Sequence, residues 1–511
     1  MLKTNTHISW QIATWCMGFT VGVVLCGAIR SVISDLLGYI LIFTALVLII
    51  LACHNCTRLW LVMSVLSGIL IGLLRASVTQ YQLMDYQQYI DRNVTIGAII
   101  SDDPSSLRDK WSLTLSNVTI DGRGMKGKVW TSVSKSTRVS LERSDHIVLF
   151  GKLSKGFGAY AATLQSAKVS YVEDSDIADS MGDLRNWFGK NLKKITSDDE
   201  WALGMGILAG QKSAQSDAMK EMFVMAALTH ILVASGYNLT VLVRFARRLL
   251  SAHSRLLALI IAAILVVAFV GVTGMSASML RASMVALFSL VLWYYGRNVH
   301  PVILLSLVAA ASLFVDPTSA WGDAGWYLSF GSFAGVILLA PLLQDYFYAD
   351  RIAAEQKRKW KGVELKGLAS VRDRLYKLLQ TVSQVLFETV SAQLFTLPII
   401  AIFMGNVSVV GLLTNVFVLP LLPITMLLTF VAGLGAAVAP ISIATVIAVP
   451  AKGLLDFVLA VASWGTEISG GTLDIKMTAG QIVVYYAVVL LAVLVLKCTT
   501  KHSYYDDNIV D

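Results

Sequence analysis

The chain has 511 residues, of which 56% are hydrophobic and only 14% are charged, and its formal net charge is +8 at pH 7. Soluble globular domains carry about a quarter charged residues, so the composition excludes an ordinary soluble enzyme. Because apolar runs of about 18 or more residues recur, the sequence indicates a multi-pass membrane protein. The small positive charge agrees with an excess of Lys and Arg in cytoplasmic loops and does not by itself indicate a nucleic-acid surface.

Motifs for catalysis, cofactor binding or metal binding are absent from the sequence. The seven histidines have no zinc-type spacing, and the chain contains neither a P-loop nor a nucleophile elbow. The five cysteines do not form a disulfide framework. Cys53 and Cys56 lie between two apolar runs, which leaves open either a redox or metal pair or incidental thiols. We therefore expect no enzyme activity, no cofactor, no metal and no ATP-driven step within this chain.

Residues 1–80 are predicted to form an N-terminal unit of three transmembrane helices, from apolar runs at 8–29, 36–52 and 59–74. The first run is longer than the apolar core of a signal peptide, and further spans follow it. We therefore expect the first helix to remain uncleaved.

Residues 90–172 are polar and alternating, without an apolar run of membrane length. Alternation of apolar and polar residues is typical of half-buried strands. Turns are predicted at Asp121-Gly122 and at 156–158. The predicted strands are at 94–100, 111–118, 125–133 and 146–153. About five such strands suit a small β-barrel.

The predicted barrel mixes basic and aromatic side chains. From residue 101 to 170 there are 11 Lys and Arg against 6 Asp and Glu, a net charge of +5. Proteins that bind single-stranded nucleic acid combine a basic groove with aromatic side chains on which bases stack. The alternative is an ordinary solvated barrel surface with one core tryptophan, because the charge excess is small. The DNA-binding candidates are Arg123, Lys126, Lys128, Trp130 and Arg138.

Residues 180–196 are predicted to form an amphipathic helix on the membrane surface, since apolar and basic side chains recur there at helical spacing. The apolar residues are Leu184, Trp187, Phe188 and Leu192, and the basic residues are Arg185, Lys190, Lys193 and Lys194.

Residues 228–243 are apolar enough to lie in a bilayer, yet the centre of this stretch is polar. It holds His230, Ser235, Gly236 and Asn238, with no charged residue until Arg244. Hydrocarbon offers no water to polar groups, so they must face protein or an aqueous cavity. The Ser-Gly pair also favours a break in the helix. We interpret the stretch as the pore-facing centre of a translocator; the alternative is a kinked helix whose polar groups bond to neighbouring helices.

The remaining chain to about residue 498 is predicted to be helical and membrane-spanning. The apolar runs are 256–272, 275–295, 302–315, 326–343, 383–403, 407–439, 441–464 and 482–496, and a polar tail follows at 499–511. The run 407–439 is too long for one crossing and is interrupted by Pro420 and Pro423, so the helix count and the side of the C-terminus stay open.

Two basic segments fix the expected orientation. One is the turn after residue 243, and the other is the loop 350–378, where nine basic residues between Arg351 and Lys377 face three acidic ones. Four predicted helices separate the two segments, so both can lie in the cytoplasm, where positive charge collects. The span near 220–243 then runs inwards, the β domain lies outside and the N-terminus lies in the cytoplasm.

Several further polar residues lie within the predicted helices. Ser278 and Arg281 lie in the run 275–295, and Arg281 is either a fixed cation facing a phosphate path or a residue that snorkels to nearby headgroups. Gln393 and Asn415 either line a channel or bridge helices. The aromatic residues Trp321, Trp326 and Tyr327 either stack bases or form the interfacial aromatic belt.

Four of these segments together resemble the ComEC/Rec2 competence family, the inner-membrane DNA-uptake channels of transformable bacteria. The positions that match are His230, Ser235 and Gly236; Gly274, Ser278, Arg281 and Ala282; Asp316, Pro317, Gly325, Leu328, Ser329 and Phe330; and Gln393, Thr396, Pro398, Phe403, Gly405, Ser408, Asn415 and Pro420. Asn238 stands where the family usually has a second histidine. Many members carry a metallo-β-lactamase-like nuclease domain, and this chain is expected to be a form without it.

We therefore expect a mainly α-helical membrane protein with about 12 transmembrane helices. The resemblance implies an extracytoplasmic OB-like barrel after the third helix and a competence-type channel domain at 200–498. It also implies a channel that passes single-stranded DNA through the bacterial inner membrane. Expected partners are DNA, membrane lipids, a cytoplasmic motor, an extracytoplasmic DNA-binding protein, a separate nuclease and a second copy of the chain. The alternative is a small-molecule or peptide transporter, or a non-transporting membrane assembly protein.

Overall fold

The structure is a computed structural model. It describes residues 8–29, 44, 58–107, 110–135, 141–173, 180–211, 213–232, 236–251, 253–297, 300–348, 368–408, 410–468, 472–475 and 477–500. The predicted helix at 36–52 and the pair Cys53 and Cys56 therefore lie outside the described residues, apart from residue 44.

Two N-terminal helices pack directly against each other. They are α1 (Ile8–Ile29) and α2 (Arg58–Met84). Gly18 and Gly22 of α1 lie against the backbone of Val65 and Ile69, so both helices run in the same direction. Gly68 and Gly72 of α2 lie in the same way against the backbone of α1. Four-residue spacing of glycine lets two membrane helices approach closely, and this spacing explains the contact.

The predicted β domain is a closed barrel. Its strands are β1 (Asn93–Ile100), β2 (Ser105–Leu107), β3 (Lys110–Ile120), β4 (Arg123–Gly124), β5 (Val129–Ser134), β6 (His146–Lys155) and β7 (Ala162–Glu173). Five of them close the wall in the order β1, β6, β7, β5, β3 and back to β1. Only β5 and β7 pair in parallel. Sequence reasoning named four of the five wall strands and missed β7, whose pairing with β6 is interrupted by two register shifts.

The barrel lies across two separate parts of the helical domain. At one end, Arg143 Nη2 donates to the Gly271 carbonyl at 3.1 Å, and Asp103 pairs with Arg185 at 2.8 Å. At the other end, the β6–β7 turn packs on Gly322, and a Cβ there would overlap the backbone of the turn at Gly158. Strand direction places residues 103 and 143 at the opposite end from residue 158, so the barrel bridges the helices that it touches.

The predicted amphipathic helix is α3 (Ser180–Lys193). Arg185 is buried in its ion pair with the barrel, and Phe188 stacks on Phe430 with ring centroids 6.0 Å apart. Leu184 and Trp187 remain exposed. One face of α3 is therefore packed between the barrel and a later helix, and the other stays apolar and exposed.

The following helices begin at capping residues. They are α4 (Asp198–Ala209), α5 (Asp217–Met225), α6 (Gly236–Leu250), α7 (Arg255–Thr273), α8 (Ala277–Tyr294), α9 (Pro301–Val315) and α10 (Ala324–Leu338). The side chains of Ser197, Ser216, Ser254 and Ser276 accept backbone N–H groups at the starts of α4, α5, α7 and α8. Such caps satisfy amides that a helix start leaves unpaired.

The predicted single span near 220–243 is wrong in its continuity. Helix α5 ends at Met225, residues 226–232 form turns, and α6 begins at Gly236. Ala227 has a positive φ of 55°, which an α-helix does not accommodate. A break was expected at Ser235-Gly236; the structure places it earlier, and Ser235 lies outside the described residues.

The last part of the chain contains α11 (Leu368–Phe403), β8 (Asn406–Ser408), α12 (Gly411–Val418), α13 (Leu422–Val438), α14 (Ile441–Glu467), β9 (Thr472–Asp474) and α15 (Ala479–Thr500). Helix α11 begins inside the predicted loop 350–378. It packs antiparallel on α10, with Gly331 beside Phe395 and Gly335 beside Ser391. Strands β8 and β9 pair.

The described residues contain eight helices that are long and apolar enough to cross a membrane, or up to nine if the bent pair α12 and α13 is one span. The angle between α12 and α13 is 52°, at the interruption expected from the two prolines. Helix α9 is apolar but has only 15 residues. The protein is thus a mostly helical membrane protein with a barrel, and these residues do not reach the predicted count of about twelve.

Candidate functional site

The turns between α5 and α6 are fixed by side chains from distant parts of the chain. We call residues 226–232 the central break. A chain that leaves a helix inside a membrane frees backbone carbonyls, and each needs a hydrogen-bond donor. Thr414 Oγ1 donates to the Ala226 carbonyl at 2.8 Å, and Ser408 Oγ donates to the adjacent Met225 carbonyl at 2.9 Å. The break is therefore a built feature rather than a frayed helix end.

The far end of the central break is held in the same way. Gln215 Nε2 donates to the Leu232 carbonyl. Asn238 is buried, and its Nδ2 donates to the Ile207 carbonyl of α4 at 2.9 Å. Asn238 thus ties the start of α6 to α4, which is the bridging role that sequence reasoning left open beside a channel-lining one.

The central break lies below the start of the neighbouring helix α8. Gly236 packs against Ala282, and the Arg247 guanidinium lies 4.5 Å from the Trp293 ring centroid. In both contacts the residue of α8 lies 46 positions after its partner on α6, so the two helices run in the same direction. Ala282 is five residues into α8, about 8 Å along its axis at 1.5 Å per residue. His230 lies inside the central break, and its side chain is exposed.

Arg281 is buried on α8, and its partners belong to the start of α10. Its Nη2 donates to the Gly325 carbonyl at 2.9 Å, and its Nη1 lies 3.8 Å from the Asp323 carboxylate. Asp323 also accepts the Gly325 amide at 2.8 Å. Arg281 therefore does not snorkel in this structure. Ser278, one turn earlier, is exposed.

The segment between α9 and α10 is a meeting point of four elements. We call residues 314–325 the junction turn. Arg75 of α2 donates to the carbonyls of Phe314 and Val315 at 2.9 and 3.2 Å. Trp321 Nε1 donates to the Val23 carbonyl of α1 at 3.1 Å. The barrel packs on Gly322, and Arg281 donates to the Gly325 carbonyl. The junction turn therefore connects the N-terminal helices, the barrel and α8.

Two aromatic residues directly after the junction turn, Trp326 and Tyr327, are packed against it. Trp326 is buried, and its Nε1 donates to Ser312 Oγ at 3.1 Å. Tyr327 donates its hydroxyl to the Ala320 carbonyl at 2.6 Å. Their polar atoms are therefore used in helix packing.

Gln393 and Asn415 lie on adjoining helices near the central break. The Gln393 amide lies close to Gly411, at the start of α12, where Ala227 of the break also packs. Asn415 is buried one turn further along α12, and its Oδ1 has no hydrogen-bond partner among the described residues. A buried acceptor without a donor is costly, so Asn415 marks a polar position inside the helical domain.

The DNA-binding candidates of the barrel lie in different environments. Arg123 and Lys126 are exposed and Lys128 is half-buried, all at the barrel end that faces the junction turn. Trp130 lies on the outer wall, donates to Ser112 Oγ at 2.9 Å and meets the exposed Phe157 edge-on at 5.6 Å. Arg138 lies outside the described residues.

Sequence reasoning missed the aromatic neighbours of Trp130. Phe157 and Tyr160 lie on the β6–β7 turn, with ring centroids 5.3 Å apart. The signal was the phenylalanine within the predicted glycine turn at 156–158, where an exposed aromatic side chain has no role in the turn itself. No group of three or more His, Cys, Asp or Glu in the described part of the chain is placed to hold a metal ion.

Replacing Asn238 by leucine tests the link between α6 and α4. The change keeps the volume but leaves the Ile207 carbonyl without its donor, and we expect a loss of about 1–3 kcal/mol in stability. Thermal unfolding of the purified full chain in detergent measures it. Asn186→Leu is the control, since its bond to Glu142 is exposed and 3.4 Å long. Equal melting of both variants would contradict a structural role for Asn238.

Comparison with known proteins gives one match. A family model described as Competence protein matches residues 207–499, which is more than half of the chain. The match includes the central break, Arg281, the junction turn and Asn415, and it excludes α1, α2 and the barrel. No curated protein matches the chain, and no solved structure matches it.

Proposed function

This chain belongs to the Competence protein family, of the ComEC/Rec2 type, and from this premise we propose that it is a channel for single-stranded DNA. Membership indicates a role in DNA uptake during transformation, and the apolar helices indicate a multi-pass membrane protein. The proposal adds the bacterial inner membrane as the location, a count near twelve crossings and a path through residues 200–498.

The central break is the observation that carries this proposal. A continuous membrane helix pairs its carbonyls internally except in its last turn, whereas this segment interrupts an apolar stretch and leaves the polar His230 exposed. Broken helices at membrane depth occur where the backbone is buried in protein or lines a polar path. Gly236, Asn238, Gln393 and Asn415 lie around it, and in our proposal they shape the path together with Ser235 and Ser278.

The placement of the barrel outside the cell is part of the proposal. The barrel touches α7 at Gly271, near the C-terminal end of that helix. The arginines of α6 and the first residue of α7, Arg255, lie at the opposite end. Positive residues favour the cytoplasmic side, so the barrel would face outwards and meet the incoming strand.

The barrel is proposed to bind that strand through its basic and aromatic residues. A five-stranded barrel with Greek-key connections is the architecture of OB-like domains, many of which bind oligonucleotides. Arg123, Lys126 and Lys128 would contact phosphates, while Trp130 and Phe157 would stack on bases. We include Arg138 in this set from its sequence position.

We propose no enzymatic step and no cofactor for this chain, since the sequence has no nucleotide-hydrolysis motif. A separate cytoplasmic motor would then pull the strand. An extracytoplasmic DNA-binding protein, a separate nuclease and a second copy of the chain are further proposed partners.

The decisive experiment follows labelled DNA in transformable cells with and without this gene. We expect DNA to accumulate outside the inner membrane in the deletion strain and to enter the cytoplasm again when the gene is restored. The control is a deletion strain restored with the Gly453→Leu variant, because a side chain at this helix position meets open space. Unchanged cytoplasmic entry in the deletion strain would contradict the channel and favour a small-molecule or peptide transporter, or an assembly protein.

A further inference from the structure

Helix α6 carries a stripe of polar side chains that its packing does not use. Thr240, Arg244 and Arg248 are all exposed and follow one another at four-residue spacing, which places them on one face. The opposite face is buried against α7 and α8 through Leu239, Val243 and Ala246. We call the first three residues the α6 stripe.

The depth of the α6 stripe follows from the parallel packing of α6 and α8. Gly236 lies beside Ala282, and Arg247 lies over Trp293, so each residue of α6 is level with the residue 46 positions later. Thr240 is therefore level with the middle of α8. Arg248 is level with Tyr294, the last residue of α8, and Arg244 lies about 6 Å further inside.

A charged stripe at this depth requires a polar surrounding. Arginine within the hydrocarbon region is costly unless it meets a partner, backbone carbonyls or water. The sequence has no acidic residue from 222 to 315, so no partner comes from α6, α7 or α8 themselves. The stripe therefore faces another element or an aqueous space, or its arginines extend to the headgroups.

An acidic residue on α11 lies near the α6 stripe. Glu388 lies six residues into the apolar span Val382–Phe403, about 9 Å along the helix from the start of that span. It is half-buried, accepts Gln384 Nε2 at 3.0 Å, and experiences the positive charge of Arg244. Opposite charges on two helices thus lie near each other.

The spacing of the stripe suits a chain of phosphates. Arg244 and Arg248 are separated by about 6 Å along the helix axis, which is comparable to the separation of successive phosphates in an extended single strand. Guanidinium groups bind phosphate oxygens in a fixed, two-pronged geometry. Glu388 beside Arg244 would compete for the same guanidinium.

We propose that Arg244 and Arg248 form a phosphate ladder at the cytoplasmic end of the path, and that the Glu388 carboxylate competes with phosphate for Arg244. The inference rests on the proposed function. It adds the residues that bind the backbone of the strand as it leaves, and a carboxylate that weakens this binding so that the strand is released.

The test uses the full chain in lipid nanodiscs with an oligo(dT) that carries a photoreactive base. Cross-links to α6, mapped by mass spectrometry, report binding at this site apart from the barrel. We expect Arg244→Gln and Arg248→Gln each to reduce these cross-links by about 3- to 10-fold at low salt and to lower the salt dependence by about one phosphate contact. Arg244→Lys should retain part of the signal.

Glu388→Gln gives the opposite result if the carboxylate competes with phosphate. We expect cross-linking to α6 to rise several-fold, and we expect no rise when the same change is made together with Arg244→Gln. Arg255→Gln is the matched control, because Arg255 is exposed at the same end of the membrane but begins α7 and lies off the stripe. It should leave the α6 cross-links unchanged.

The outcomes separate the two proposals. Failure of the wild-type chain to bind oligo(dT) anywhere would overturn the channel itself. Normal binding with unchanged α6 cross-links in Arg244→Gln and Arg248→Gln would overturn the ladder alone. An equal loss in Arg255→Gln would show a diffuse cationic belt for lipid headgroups, which also overturns the ladder. Melting temperatures close to wild type confirm that each variant is folded.

Discussion

Replacing Arg281 by alanine is expected to destabilise the protein by about 3–5 kcal/mol and to abolish DNA uptake. Breaking a buried ion pair by removing one partner leaves the other without compensation. Here the loss also removes the donor to the Gly325 carbonyl at 2.9 Å and separates α8 from the junction turn. Thermal unfolding in detergent and uptake of labelled DNA measure the two effects.

Two further variants separate charge from packing at Arg281. Lysine keeps the charge but cannot reach both Gly325 and Asp323 in the same geometry, so Arg281→Lys should recover only part of the stability. Val291→Ala changes an exposed residue later on α8 that the proposed path does not include, and it should behave as wild type. If Arg281→Ala melts and functions as wild type does, the contact between α8 and the junction turn has no role.

Polar residues in the sequence indicated where the proposed path would lie, but not which side chains fix the central break. Polar residues inside an apolar stretch indicate a break, because hydrocarbon cannot satisfy them. The donors to the break come from Ser408 and Thr414, more than 180 positions away. No periodicity records such a contact, since it depends on how distant helices pack.

Arg281 shows the same limit. Its depth in an apolar run indicated that it needs water or a partner, yet both alternatives considered for it placed the side chain at an aqueous surface. The structure buries Arg281 against Asp323. Asp323 directly precedes α10, and the whole of α9 lies between the two residues in the sequence. The four-residue spacing of the α6 stripe is visible in the sequence, but only the register between α6 and α8 in the structure shows its depth.

The barrel strands were predicted from the alternation of apolar and polar residues, and the prediction was correct where that alternation is clear. Strands β1, β3, β5 and β6 alternate apolar and polar residues because one face fills the barrel. Strand β7 pairs with two neighbours, yet its second half carries exposed residues on both faces. Ala167, Val169 and Val172 pack against the barrel core, but two register shifts in the pairing with β6 interrupt the alternation that the other strands show.

Replacing Gly22 by leucine is expected to prevent α1 from packing on α2, with a loss of folded protein. A Cβ at Gly22 would overlap the Ile69 carbonyl, which is backbone and cannot rotate away. Overpacking a well-packed core costs about 1–3 kcal/mol, and a clash with backbone exceeds that range because only separation of the helices relieves it. Size-exclusion profiles of the solubilised protein and its melting temperature measure the loss.

Gly453→Leu is the matched control for this prediction. Gly453 lies in another membrane helix, α14, and a Cβ there meets no atom of the described chain within 4 Å. Leucine also favours a helix more than glycine does, so this variant should melt at or above the wild-type temperature. A comparable loss in both variants would show that leucine is harmful in any of these helices, and no loss at Gly22 would contradict the close contact.

The effect of Gly22→Leu should extend beyond the N-terminal helices. Trp321 of the junction turn donates to the Val23 carbonyl of α1, and Arg75 of α2 holds the end of α9. Separating α1 from α2 therefore removes two of the four supports of the junction turn, on which Arg281 also depends. We expect any Gly22→Leu protein that still inserts into the membrane to lose DNA uptake in the same way as Arg281→Ala, although the two residues lie in different helices.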